Sequence, residues 1–223
     1  MTPAAVLWDL DGTLLDSEKL WDIPLYELTE KLGGELSLST RQAMVGTNVK
    51  RTLDLVYAEV GIDHPTEDQL ADGAAWIDRR MAEVFRGELP WRPGAQDALA
   101  TVRAAGYPMA LVTSTERGLT EIALDTIGRA LFDVTVCGDE VGGLNKPDPE
   151  PYLRAARVLG VPAAGCVAIE DSPTGVASAV GAGCTVLVVP CEVAVEPGER
   201  RVFRDSLEGL TVADLTAMAG SVS

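Results

Sequence analysis

The chain has 223 residues and an acidic composition, with 34 Asp and Glu residues against 18 Lys and Arg and a net charge of −16. Hydrophobic residues make up 47% of it, which is typical of a globular protein whose core needs no metal or disulfide to hold it together. The excess negative charge argues against binding to nucleic acid or to an anionic membrane surface. A small anionic ligand is compatible with it where a metal ion or a local Lys reverses the field.

Histidine and cysteine usage narrows the function classes further. The single histidine, His64, lies in a turn-like stretch, which excludes sites that need two histidines and disfavours a Ser-His-Asp triad. The four cysteines show no CxxC spacing, so we expect reduced thiols.

The first apolar run stops at Asp9, and the most apolar stretch, residues 176–189, is too short to cross a bilayer. We expect a soluble cytoplasmic protein, a monomer or small homo-oligomer.

Short apolar runs recur along the chain, and each is followed by a polar or acidic residue. Continuous apolarity indicates strands that are covered on both faces, as in a parallel sheet. The predicted strands are residues 5–8, 109–112, 134–137, 167–169 and 185–189. The helices predicted between them are residues 95–105, 117–127, 149–159 and 173–182. This alternation predicts an α/β fold with a doubly wound, mostly parallel, Rossmann-like core sheet.

One segment interrupts the alternation, because only helical patterns lie between the first and second strands. The helices predicted there are residues 18–32, 50–60 and 66–85. Pro24 lies inside the first and predicts a kink or a restart, since an interior Pro costs about 3 kcal/mol. Thr66 and Gln69 predict a capping box at the start of the third. We expect an all-helical cap domain over residues 17–90, inserted into a core domain of residues 1–16 and 91–223.

The first predicted strand runs directly into Asp9-Leu10-Asp11-Gly12-Thr13. In an open parallel sheet, ligands bind outside the carboxyl ends of the strands, which is where these aspartates fall. Residues two apart on an extended segment point the same way, so Asp9 and Asp11 can face one site. Gly12 allows the chain to turn sharply after them.

Three later segments carry other groups that phosphoryl transfer needs. Thr113 and Ser114 end the second strand and offer hydroxyl and backbone N–H groups to an anion. Lys146 supplies a cation in a proline-flanked segment ahead of a helix. Glu170 and Asp171 end the fourth strand as an acidic pair. Several such features at separate strand ends predict one shared site.

Taken in order, these motifs resemble those of the haloacid-dehalogenase-like phosphatases, in the branch with a helical cap inserted after the first motif. The resemblance covers nearly the whole chain. The segment from Asp9 to Thr13 is similar to the family's first motif, Thr113 to the second, Lys146 to the third and Glu170-Asp171 to the fourth. The resemblance implies a phosphoric monoester hydrolase acting on a small phosphorylated metabolite, such as a sugar phosphate or phosphoglycolate.

The resemblance also implies roles for individual residues. Asp9 would be the nucleophile that forms an aspartyl-phosphate, and Asp11 the general acid and base. Thr113, Ser114 and Lys146 would bind the phosphoryl group. Lys146 suits that task because it places a cation where negative charge accumulates during the transfer.

Mg²⁺ is the cofactor that the resemblance implies. Its ligands would be Asp9, the backbone carbonyl of Asp11, and Asp171, with Glu170 either a further ligand or a residue behind the ligands. Mg²⁺ prefers oxygen ligands and is usually held by one or two carboxylates with waters and substrate phosphate. It would neutralise the charge that otherwise stops a carboxylate from attacking a phosphate dianion.

Two other functions stay open at this point. A sugar-phosphate mutase resembling β-phosphoglucomutase would share the cap and all four motifs. That enzyme's cap histidine and arginine correspond to Trp21 and Val49 here, and its first motif usually has Val where this chain has Thr13, so the departures favour hydrolysis. A non-catalytic phosphate-binding protein should have lost a motif residue, and none is missing. In the cap, Lys50 and Arg51 are candidates for substrate contact or for solvated surface.

Overall fold

The computed structural model of the chain describes residues 2–44, 47 and 49–220. These residues form two compact units, a helical one over Ser17–Leu89 and an α/β unit built from the chain on both sides of it. In the described residues, no helix combines the length and apolar character needed to cross a membrane.

The helical unit consists of α1 (Glu18–Lys31), α2 (Leu38–Met44), α3 (Val49–Glu59) and α4 (Glu67–Phe85). Helix α4 starts at the predicted capping box, in which the Thr66 hydroxyl accepts the Gln69 N–H and the Gln69 side chain accepts the Thr66 N–H. Helix α1 runs through Pro24 without a break, so the predicted restart is wrong. Pro24 has no backbone N–H to donate to the helix, and packing of α1 against α4 stabilises the helix at this position.

The α/β unit is built on a six-stranded sheet whose neighbouring strands are all parallel. The strands are β1 (Ala5–Trp8), β2 (Met109–Val112), β3 (Val134–Val136), β4 (Cys166–Glu170), β5 (Thr185–Val188) and β6 (Arg201–Phe203). Their spatial order is β3-β2-β1-β4-β5-β6, which confirms the predicted doubly wound α/β fold. The strand order reverses between β1 and β4, and ligands bind at such a switch point in open α/β sheets.

Helices on both sides of the sheet bury its strands. The helices of this unit are α5 (Ala95–Ala104), α6 (Arg117–Ile127), α7 (Glu150–Leu159), α8 (Pro173–Gly181) and α9 (Val212–Gly220). Every residue of β1 is buried, and on one face Ala5 and Leu7 pack in a cluster with Tyr152 of α7 and Val176 of α8. Because helices cover both faces of the sheet, the strands appear in the sequence as continuous apolar runs.

Among the α-helices and strands of the described residues, those that lie outside the sequence predictions are α2, β6 and α9. Helix α2 has 7 mostly polar residues and β6 has only 3, so neither carries a periodic apolar pattern. Helix α9 contains few large apolar residues. Tertiary contacts account for two of them, because β6 pairs with β5 and α9 packs against β4.

Candidate active site

Four chain segments converge at the carboxyl edge of the sheet. Asp9 follows β1, Thr113 follows β2, and Glu170 ends β4 immediately before Asp171. Lys146 reaches the same place from the loop before α7, and its side chain is only 4% exposed. The structure therefore brings together residues from all four sequence motifs.

Lys146 lies at the centre of this cluster. Its ammonium group donates to Asp9 Oδ1 at 2.6 Å, to Glu170 Oε1 at 2.6 Å and to the Val112 carbonyl oxygen at 3.0 Å. These three acceptors match the three N–H donors of a lysine ammonium group. Lys146 is therefore a fixed, buried cation beside Asp9.

The buried charges of the cluster shift one another's pKa. Burial and repulsion from Glu170 raise the pKa of Asp9 from 3.8 to about 7, against the opposing attraction of Lys146. Burial alone would lower the pKa of Lys146, but the attraction of Asp9 and Glu170 outweighs burial and raises it. Lys146 therefore stays protonated, and a second cation near Asp9 would favour the ionised carboxylate.

Glu170 accepts hydrogen bonds on both carboxylate oxygens. Its Oε1 accepts from Lys146 and, at 2.6 Å, from the hydroxyl of Tyr152. Its Oε2 accepts from the Asp171 backbone N–H at 3.2 Å and from the Ser172 hydroxyl at 3.4 Å. Glu170 is completely buried, so these bonds fix its position, and with it the position of Lys146. Tyr152 lies six residues beyond Lys146 and was not predicted from the sequence.

Asp9, Glu170 and Asp171 form a group of carboxylates that could hold a metal ion. Carboxylate oxygens of Asp9, Glu170 and Asp171 lie within 4.8 Å of one another, but those of Glu170 are already engaged. Gly12 leaves room for Asp171, because a Cβ at Gly12 would lie 2.2 Å from Asp171 Oδ2. The Thr13 hydroxyl is 3.4 Å from the other oxygen of Asp171. Closely spaced carboxylate oxygens fit the ligand preference of Mg²⁺.

Asp11 is held by hydroxyl groups that follow β2. Thr115 Oγ1 donates to Asp11 Oδ2 at 2.6 Å, and Thr113 Oγ1 lies 3.4 Å from the same oxygen. Thr115 was not predicted from the sequence. The unbroken run of hydroxyl residues from Thr113 to Thr115 is the signal that could have found it.

Ser114 lies in the turn between β2 and α6. Helix α6 begins at Arg117, so Thr113 and Ser114 precede its N-terminus rather than cap it. The backbone of Ser114 packs tightly against Gly138, where a Cβ would lie 2.1 Å from the Ser114 carbonyl oxygen. The Gly138 N–H donates to the Thr115 carbonyl at 3.0 Å. These contacts fix the turn that carries the hydroxyl groups.

The two cap residues singled out by the sequence lie in the first turn of α3. Lys50 is 77% exposed and pairs with Asp54 at 3.3 Å, and Arg51 is also exposed. Both belong to the helical unit, whereas the cluster around Lys146 belongs to the α/β unit. Their contact with a substrate stays a prediction.

Gly175 in α8 allows Glu170 to occupy its position, since a Cβ at Gly175 would lie 2.0 Å from Glu170 Oε1. We predict that Gly175→Ala lowers the free energy of unfolding by about 1–3 kcal/mol, because the carboxylate must move away from its partners. Gly181→Ala in the same helix is the control, because the atoms nearest its Cβ would be side-chain carbons of Pro149 at 3.5 Å or more, which is ordinary van der Waals contact. Chemical denaturation measures both variants, and equal stabilities would contradict the prediction.

Comparison with known proteins places this site in a family. The chain matches the family model of the haloacid dehalogenase-like hydrolases over residues 3–183. It is similar to hexitol phosphatase B from Escherichia coli K12, at 29% identity over 95% of this chain and 96% of the relative. It is also similar to a phosphorylated carbohydrates phosphatase from Thermotoga maritima, at 31% identity over 80% of this chain and 81% of the relative.

A solved structure shows the same likeness. A CbbY variant from Rhodobacter sphaeroides, in complex with xylulose 1,5-bisphosphate, superposes with a TM-score of 0.81 at 29% identity, covering 96% of this chain and 99% of that one.

The family match spans every segment that contributes to the site, from Asp9 to Asp171. The resemblance drawn from the four motifs is confirmed, and so is the predicted enzyme class of phosphoric monoester hydrolase. The chain belongs to the haloacid dehalogenase-like hydrolase family.

Proposed function

We propose that this hydrolase is a Mg²⁺-dependent phosphatase that removes the phosphoryl group from a small sugar phosphate or sugar-alcohol phosphate through an aspartyl-phosphate on Asp9. The observation that carries the proposal is the buried 2.6 Å contact between Lys146 and Asp9. It puts a fixed cation beside a carboxylate that follows the central strand. The carbohydrate substrates in the names of the relatives support the substrate class.

Asp9 supplies the nucleophile. A carboxylate oxygen attacks phosphorus, and the bond from phosphorus to the substrate alcohol breaks as the bond to Asp9 forms. Covalent catalysis of this kind splits one difficult displacement into two easier ones. Lys146 holds Asp9 in place during the attack and offers positive charge to the transferring group.

Asp11 moves the proton in both halves of the reaction. It first donates a proton to the leaving oxygen, which departs as a neutral alcohol. It then accepts a proton from the water that attacks the aspartyl-phosphate, which releases inorganic phosphate and restores the Asp9 carboxylate. The reaction consumes one water and leaves Asp11 in its starting state.

The charge balance of the cluster supports a metal requirement. The three carboxyl groups of Asp9, Glu170 and Asp171 outnumber the single Lys146 cation, so the acidic charge of the site opposes the binding of a phosphate dianion. Asp9, the Asp11 backbone carbonyl and Asp171 would hold Mg²⁺, which when bound neutralises that charge and polarises the phosphoryl oxygens. We assign Glu170 to Lys146 rather than to the metal, because both of its oxygens already accept hydrogen bonds.

We assign substrate selection to the helical unit as its cap-domain function. Lys50 and Arg51 are the candidate contacts, since exposed cations in the first turn of α3 suit a phosphorylated ligand. Thr113, Ser114 and Lys146 are left to bind the phosphoryl group that all substrates share.

Replacement of the nucleophile tests the proposal. We predict that Asp9→Asn lowers kcat for Mg²⁺-dependent phosphate release more than about 10³-fold, because an amide neither attacks phosphorus nor gives the metal an anionic oxygen. Asp63→Asn, the same change at an exposed position in the helical unit, is the control and should keep full activity. Substantial turnover by the Asp9→Asn variant would contradict the assignment of Asp9 as the nucleophile.

Product analysis separates hydrolysis from the mutase alternative. A mutase must keep a phosphorylated intermediate from water while a bisphosphate reorients, so its cap needs fixed groups for a second phosphate. Here the ring of Trp21 packs edge to face on the ring of Phe85, with 6.4 Å between the ring centroids. Val49 is an apolar residue at the start of α3. We predict that β-glucose 1-phosphate with Mg²⁺ and a trace of glucose 1,6-bisphosphate yields free phosphate faster than glucose 6-phosphate. The opposite order of rates would promote the mutase.

A further inference from the structure

Of the two threonine hydroxyl groups that approach Asp11, that of Thr115 makes the shorter contact. Its Oγ1 donates to Asp11 Oδ2 at 2.6 Å, whereas Thr113 Oγ1 reaches the same oxygen only at 3.4 Å. Thr113 instead accepts the Thr115 backbone N–H at 3.0 Å. The two hydroxyl groups therefore differ in task, and Thr115 is the one aimed at Asp11.

The backbone of Thr115 is held from two directions. Its carbonyl oxygen accepts the Gly138 N–H at 3.0 Å and the Thr120 hydroxyl at 3.3 Å. Thr115 is buried, and the absence of a side chain on Gly138 lets its backbone lie against the preceding carbonyl of Ser114. A hydroxyl on a backbone fixed in this way delivers its hydrogen bond in one direction, which is what positioning of a neighbouring carboxyl group requires.

We propose that Thr115 is the positioning residue for Asp11 in proton transfer, an inference that rests on the proposed general acid–base role of Asp11. A hydroxyl that donates to Oδ2 engages that oxygen and leaves Oδ1 as the oxygen of Asp11 that can act in the reaction. It also holds the carboxyl group in one orientation through both halves of the reaction. Thr115 touches neither the phosphoryl group nor the leaving alcohol in this scheme and acts through Asp11 alone.

The dependence of rate on the leaving group tests this role. A poor leaving group needs protonation by Asp11, whereas p-nitrophenolate departs with little help. We predict that Thr115→Val lowers kcat/KM for phenyl phosphate by about 10- to 100-fold, while kcat/KM for p-nitrophenyl phosphate changes by less than about 3-fold. Valine matches threonine in shape and removes only the hydroxyl.

Two further variants separate positioning from packing. Thr115→Ser keeps the hydroxyl and should restore the ratio of the two rates to within about 3-fold of the parent. Thr29→Val removes a buried hydroxyl in α1 that donates to the Leu25 carbonyl at 2.8 Å and takes no part in the turn at Thr115, so it should leave that ratio unchanged. Denaturant unfolding of each variant checks that all are folded at the assay temperature.

The outcomes divide cleanly. Selective loss on phenyl phosphate in Thr115→Val, with rescue in Thr115→Ser, supports the inference. Equal losses on both substrates, no loss on either, or the same selective loss in Thr29→Val would overturn it. The proposed function fails separately, because it is Asp9→Asn in the same assay that reports on the nucleophile.

Discussion

The charged side chain of Lys146 is buried, and the other groups of the site are arranged around it. A buried ion pair is tolerated only when good geometry and further hydrogen bonds compensate for lost hydration. Asp9, Glu170 and the Val112 carbonyl supply this compensation in full. Removing one partner of a buried pair typically costs about 3–5 kcal/mol, so the positions of Asp9, Lys146 and Glu170 depend on one another.

Glycine residues allow the groups of the site to pack this closely in the folded chain. Gly12 gives room to Asp171, Gly175 to Glu170, and Gly138 to the turn at Ser114. Each of these glycines lies beside a strand end at the carboxyl edge of the sheet. The convergence of parallel strand ends at a switch point therefore brings the charges together, and the glycines let them approach to hydrogen-bond distance.

Much of the site could be predicted from the sequence because its main residues directly follow buried strands. Asp9 and Asp171 come after continuous apolar runs, and a parallel sheet gathers such ends at one edge. Lys146 was recognisable only in company with the other groups that phosphoryl transfer needs, since a lone lysine in a loop carries no structural signal of its own. The same locality explains why strands β1 to β5 and most helices were predicted close to their observed bounds.

The rest depends on contacts between distant parts of the chain. The bonds from Tyr152 to Glu170 and from Thr115 to Asp11 join residues that no local pattern connects. The motif at Glu170 also left open whether this carboxylate binds metal, because sequence does not reveal which oxygens already accept hydrogen bonds. Helix α2 and strand β6 were missed because segments this short carry too few apolar residues to show a period.

The assignment of Glu170 to Lys146 rather than to Mg²⁺ is the claim on which the division of roles depends. Calorimetric titration of the substrate-free protein with Mg²⁺ tests it most directly, with the two conservative variants Glu170→Gln and Asp171→Asn measured side by side. We predict that Asp171→Asn loses most of the Mg²⁺ affinity, whereas Glu170→Gln binds Mg²⁺ close to the parent value and loses turnover instead. Equal losses of Mg²⁺ affinity, or a larger loss in Glu170→Gln, would contradict the assignment.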